Sequence, residues 1–257
     1  MKHIEGNDGA HPLVFTDVLV EENMYATEFD FSKEWARVVV NSCMIPKEEL
    51  ERALTILRDV LVSGIAVSPY VRLCDEGEDF YGLVVPPGYV ALITVCSITL
   101  CGALLKAGIP VKPKLGGIVQ VENCVAQRFT QVMSYSSTTV DPLEALLSQE
   151  LTSVSTVVDT GSGKILASLH ESPIASRDAF HYVLESLSKM GFAGILEVGE
   201  PNNDVLGVPV DVNHFGFVVV GGTNPMAAMQ EAGIPVSLRP MSEVVELSEL
   251  LHFEDVL

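Results

Sequence analysis

The chain has 257 residues, enough for one large domain or two small ones, and 48% of them are hydrophobic against 19% charged, so it can bury a sizeable core. Fifteen basic against 34 acidic residues leave a net charge of −19, which opposes direct contact with DNA, RNA or anionic lipid. The five cysteines, Cys43, Cys74, Cys96, Cys101 and Cys124, contain no CxxC pair and are odd in number, which fits reduced thiols in a cytoplasmic protein and not a disulfide framework.

Residues 1–35 lack the basic and apolar pattern of a signal peptide and read as an acidic arm with one strand around Leu13–Val20. Residues 36–121 form a first lobe. Arg37–Ser42 is strand-like, and Pro46 followed by Glu48 and Glu49 opens a helix whose apolar positions Leu50, Ala53, Leu54, Leu57 and Leu61 recur at three and four. Gly64 stops that helix. A second strand follows over Ile65–Leu73, then a long turn or hairpin over Cys74–Gly88, a third strand Tyr89–Val95, a helix Ile98–Ala107 and a fourth strand Val111–Val121 completing the unit. Residues 80–105 carry no charge and have the length of a membrane span, but Pro86-Pro87-Gly88 breaks the run, so it reads as a buried strand and helix.

Residues 122–162 are a structured connector. Arg128–Ser134 predicts a strand, and Asp141-Pro142 is an N-cap with proline at N1 ahead of Leu143, Leu146, Leu147 and Leu151. The hydroxyl-rich stretch Ser134–Thr139 leads into that helix; it is either an anion-facing element or an ordinary loop rich in caps. Residues 163–248 form a second lobe with strands beginning near Ile165, Ala193, Phe215 and Val236 and helices over about Ala175–Met190 and Asn224–Ala232, and 249–257 is a tail.

The two lobes are copies. Ala107-Gly108-Ile109-Pro110-Val111 recurs 125 positions later as Ala232-Gly233-Ile234-Pro235-Val236, and at the same offset Tyr89–Cys96 aligns with His214–Gly221. Earlier elements match at an offset of 127: Pro46 with Pro173, Gly64 with Gly191, and Val38–Val40 with Ile165–Ala167. The expected fold is therefore α/β of the α+β kind: two pseudo-symmetric ferredoxin-like βαββαβ lobes with antiparallel sheets, joined by the connector. A doubly wound parallel sheet is the rival, and the central β-β step argues against it.

Catalytic patterns are scarce. Gly161-Ser162-Gly163-Lys164 resembles a phosphate loop, but the required glycine is Val158 and the required hydroxyl is Ile165. The six histidines show no metal-ligand spacing and there is no GxSxG elbow, so no catalytic residue, metal or cofactor is expected. The duplication instead singles out two strand-to-helix turns, Cys96-Ser97-Ile98-Thr99 and Gly221-Gly222-Thr223-Asn224, which offer backbone donors and short polar groups to an anion and would lower the pKa of a thiol at Cys96. The plainer reading is that tight turns need small residues. Lys112 and Lys114, near Lys106, and Arg128 are candidate anion contacts in an otherwise acidic chain, and each is equally well read as a solvated surface charge.

Seven segments together resemble the regulatory domain of the NrpR family, nitrogen-responsive transcriptional repressors of methanogenic archaea. They are Ile45-Pro46, Thr94–Thr99, Ala107–Gly117, Ser134-Tyr135 with Thr139–Glu144, Thr160–Ile165, Gly199–Asn202 with Val205–Pro209, and Val219–Pro225, and the resemblance runs from about Ala36 to Leu247. It implies an effector-binding domain that senses 2-oxoglutarate or a similar dicarboxylate and modulates repression. The pocket it implies lies around Cys96, Ser97, Thr99, Gly221, Gly222 and Asn224, with Thr138, Thr139 and Asp141 from the connector. Family repressors carry a winged helix-turn-helix ahead of this domain, and residues 1–36 are too short and acidic to form one. The chain is thus expected to be an excised sensor or a companion subunit, a homodimer working with a DNA-binding paralogue or transcription factor. The alternatives are a ligand-independent scaffold or co-repressor and a thiol enzyme built on Cys96.

Overall fold

The structure, a computed structural model, describes residues 13–256. Residues 1–12 of the expected arm lie outside the described residues. From Leu13 onward the expected strand is instead a helix, α1 (Thr16–Ala26), which buries Thr16, Val20 and Met24, one face at a spacing of four. The local density of apolar residues looks strand-like, but Glu21, Glu22, Asn23 and Met24 extend a helix, and its buried face packs on α3 below.

A short β1 (Glu28–Asp30) leads to the long β2 (Trp35–Pro46) and α2 (Leu50–Val62), which buries Ala53, Leu57 and Val60. Then come β3 (Tyr70–Cys74), a small hairpin of β4 (Asp79–Phe80) and β5 (Leu83–Val84), β6 (Tyr89–Val95) and α3 (Ile98–Lys106). After α3, β7 (Lys112–Glu122) and β8 (Val125–Ser134) form a hairpin ahead of the short helices α4 (Pro142–Leu147) and α5 (Val154–Thr160). The second repeat supplies β9 (Gly163–Pro173), α6 (Arg177–Lys189), β10 (Ile195–Val198), β11 (His214–Val220), α7 (Asn224–Glu231) and β12 (Ser237–Glu246). The final β13 (Leu251–His252) pairs with β3, so residues expected to be a tail extend a sheet edge.

Both principal sheets are antiparallel. One runs β12-β2-β6-β3-β13, with β1 also paired to β2, and the other runs β8-β7-β9-β11-β10. This is the strand order of a ferredoxin-like lobe, fourth-first-third-second, in each copy. The fourth strands, however, are exchanged. β7, expected to complete the first unit, pairs with β9 of the second repeat, as in Ile118 opposite Leu166, and β12 pairs with β2 of the first, as in Val245 opposite Val38. The repeats at 36–121 and 163–248 remain units of sequence, while each sheet draws one strand from the other.

The helices interlock in the same way, α2 packing on α7 and α3 on α6. The uncharged run becomes β6 and α3, and every α3 residue from Ile98 to Leu104 is buried. Among the described residues no helix is long and apolar enough to cross a membrane. Buried side chains of both lobes form one continuous core.

Candidate functional site

The two equivalent turns lie where β6 enters α3 and β11 enters α7, and the same bonds hold both. The amide of Cys96 donates to the Val39 carbonyl at 2.8 Å, and that of Gly221 to the Leu166 carbonyl at 2.7 Å. β6 ends with Val95 opposite Val40, and β11 ends with Val220 opposite Ala167, so the next residues of β2 and β9 need other partners. A side chain provides them in each copy. Thr99 Oγ1 accepts from the Val39 amide and donates to the Val39 carbonyl, both at 3.0 Å. Asn224 Oδ1 accepts from the Leu166 amide at 2.9 Å, and its Nδ2 donates to the Leu166 carbonyl at 3.0 Å. Both side chains are fully buried and occupied by the fold.

The turns also touch each other. A Cβ on Gly222 would stand 2.8 Å from the Val95 carbonyl and 3.0 Å from the Ser97 amide, so only glycine lets the two copies meet this closely. Beside this contact Asn41 is fully buried; its Oδ1 accepts from the Met241 amide at 3.1 Å, while Nδ2, facing Gly222, has no hydrogen-bond partner. The hydroxyl of Thr223 is likewise unpaired. Cys96 and Ser97 are buried, and burial pushes the Cys96 thiol up to about 12, opposite to the lowering expected of a turn-activated nucleophile. Desolvation outweighs the helix-terminus effect here.

The connector covers this junction. Asp141 Oδ1 accepts from the amides of Leu143 and Glu144 at 2.9 and 3.0 Å, the expected cap, and desolvation raises its carboxyl to about 6 despite those bonds. The Thr138 carbonyl accepts from the Thr16 amide and hydroxyl, tying the connector to α1, and the Thr139 side chain is exposed. Tyr135 and Phe217 both stack with His170, whose Nε2 lies 2.9 Å from Ser168 Oγ and whose burial lowers its pKa to about 3, so the ring is neutral.

Thr139 and Asp141 line a cavity at a feature that the turns do not mark, and a separate cavity of about 500 Å³ lies elsewhere, lined by Ile65, Val121, Cys124 and Leu196 among others. Between Arg239 and Glu243 the pairing of β12 with β2 shifts, and Pro240, Met241 and Ser242 bulge, Met241 with a positive φ of 47°. A cavity of about 470 Å³ on one side of the bulge is lined by Thr16, Thr139, Asp141, Glu144, Arg239 and Met241 among others. A second, of about 310 Å³, lies on the other side beneath the β4–β5 hairpin. Arg239 and Pro240 line both.

The sequence matches the family profile described as NrpR regulatory domains NRD1 and 2 over residues 13–252. The chain belongs to the NrpR family. The global nitrogen regulator NrpRI of Methanosarcina mazei is 36% identical over 227 residues, 88% of this chain and 70% of that protein. The global nitrogen regulator NrpR of Methanococcus maripaludis is 31% identical over 234 residues, 91% of this chain but only 39% of that protein. A crystal structure of a nitrogen repressor-like protein from Methanococcus jannaschii superposes with a TM-score of 0.80 at 26% identity, covering 94% of this chain and all of that one. The matched relatives are named as nitrogen regulators, and the matched family profile is that of regulatory domains.

Within this NrpR domain two of the expected cations, Lys112 and Lys114, are already engaged. Lys112 pairs with Asp211 at 2.6 Å, and Lys114 bonds the fully buried Glu171, the Pro209 carbonyl at 2.8 Å and Asp211 at 3.3 Å. Arg128 is exposed on β8 opposite Gln120 and does not line either cavity at the bulge. Arg239 has no carboxylate within ion-pair distance among the described residues. Sequence reasoning missed it, although the 125-residue offset applied to Lys114 leads to it.

Proposed function

We propose that this chain is the effector-sensing regulatory domain of a nitrogen-responsive repressor, that it binds 2-oxoglutarate or a similar dicarboxylate, and that it acts as a homodimer alongside a DNA-binding partner. Family membership supports the regulatory role. The contact chain from the β12 bulge through Asn41 to Gly222 carries the sensing reading: Met241 is tied to Asn41, and Asn41 faces the point where the two repeats meet. An occupant of the space beside the bulge therefore acts on the junction between lobes. It shifts the lobe arrangement only by the difference in its affinity for the two arrangements. The exposed Val18, Leu19 and Tyr25 on α1 offer apolar surface for a second copy.

Calorimetric or thermal-shift titration with 2-oxoglutarate tests the reading. A ligand at 100 times its Kd adds about 2.7 kcal/mol of stability, so an unchanged melting temperature at millimolar ligand rejects it. Partner binding that is the same with and without ligand would favour the scaffold role.

A further inference from the structure

We propose that the first lobe holds a small carboxylic acid in the cavity beneath the β4–β5 hairpin, with Arg239 as the cation and Ser42 Oγ as a donor. The ligand class rests on the dicarboxylate-sensing reading above; the location rests on a comparison of the two repeats.

Lys114 and Arg239 are equivalent residues on the exchanged strands β7 and β12. In the second lobe the cation is answered from within, because Lys114 reaches the buried carboxylate of Glu171 on β9 and is covered by the segment 199–213, which supplies Pro209 and Asp211. In the first lobe the position equivalent to Glu171 is Met44, so the matching carboxylate is missing. The β4–β5 hairpin occupies the place in the repeat that 199–213 occupies in the second copy, between the second and third strands, and beneath it an open volume of about 310 Å³ remains.

The cavity walls fit the missing group. Ser42 is opposite Arg239 in the strand register, is 2% exposed and lines the cavity, and its hydroxyl has no hydrogen-bond partner, which is unfavourable until an acceptor arrives. The other hydroxyls are committed: Ser242 donates to the Val40 carbonyl and Tyr81 to Glu249. A guanidinium takes a carboxylate through two parallel N–H donors, which suits Arg239 better than a point charge. Glu243 is the one acid among the residues lining the space. The cavity on the other side of the bulge contains two acids, Asp141 and Glu144, and is the poorer seat for an anion.

The test is calorimetry of the full chain with 2-oxoglutarate, succinate and acetate, using wild type, Arg239→Gln, Ser42→Ala and, as a surface control, Arg58→Gln. The expected result is binding weakened at least tenfold by Arg239→Gln and several-fold by Ser42→Ala, no change in Arg58→Gln, and a melting temperature of unliganded Ser42→Ala no lower than wild type. Wild-type affinity in both site variants, or no binding of any of the acids to wild type, overturns the proposal. Arg239-dependent binding of succinate without binding of 2-oxoglutarate would uphold this site and reject the 2-oxoglutarate reading.

Discussion

At the scale of single residues, Asp141 shows how one side chain serves two ends. Its cap was legible because the signal is local, a carboxylate followed by proline and acid at the start of a helix. Its raised pKa was not, because the desolvation comes from segments distant in sequence. The folded carboxyl titrates at about 6 against 3.8 for the free group, so between those values the native state binds more protons than the unfolded chain. Asp141 thus adds stability as the pH falls from about 6 to about 4. His170 acts in the opposite sense, since a base held at about 3 loses stability as the pH falls from 6.5. The difference between wild type and Asp141→Asn isolates the first term: asparagine keeps the cap, and chemical denaturation of the pair should show wild type gaining on the variant below pH 6. A pH-independent difference would show that Asp141 is not desolvated in solution. Thr99 and Asn224 were recognisable as equivalent positions, yet their use by Val39 and Leu166 was not, since each bond spans about 60 residues.

At the scale of elements, the equivalence of β7 and β12 conceals unequal electrostatics. Lys114 stabilises a carboxylate that has no exposure, and removing one partner of such a pair leaves a buried charge uncompensated, at a cost of about 3–5 kcal/mol. Lys114→Met should therefore lower unfolding stability by several kcal/mol in a urea titration, whereas Arg239→Gln, which removes an exposed and unpaired cation, should change it by less than about 0.5 kcal/mol. Equal losses in the two variants would contradict the asymmetry between the lobes. Element boundaries follow from periodicity where a helix or strand buries one clear face: β6 spans Tyr89–Val95 as expected and α6 falls within two residues of expectation, whereas α2 begins at Leu50 and not at Pro46, which ends β2. Two elements differ from what local pattern suggests. The dense apolar residues of α1 suggest a strand, and Val154, Val157 and Val158 of α5 have low helix propensity and form a helix only where β9 and α7 support them.

At the scale of the whole molecule, strand exchange makes each lobe dependent on the other. A fragment of residues 13–122 would retain β7 without β9 and β2 without β12, leaving long apolar strand edges unpaired. The intact chain should melt in one transition with equal calorimetric and van't Hoff enthalpies, and the 13–122 fragment should lack a cooperative transition. Two separated transitions, or a monomeric folded fragment, would show that the lobes fold independently.

The sequence alone determined the duplication, the order of elements within each copy, the Asp141 cap and the family, because each is written in local pattern or fixed spacing. Only the tertiary structure decided which sheet receives each fourth strand. The repeats present like edges at β2 and β9, and both exchanging strands follow the same Ala-Gly-Ile-Pro-Val connection, so no local signal distinguishes pairing within a copy from pairing across copies. The same exchange places Arg239 against Ser42, a juxtaposition that depends on strand pairing between residues nearly 200 positions apart.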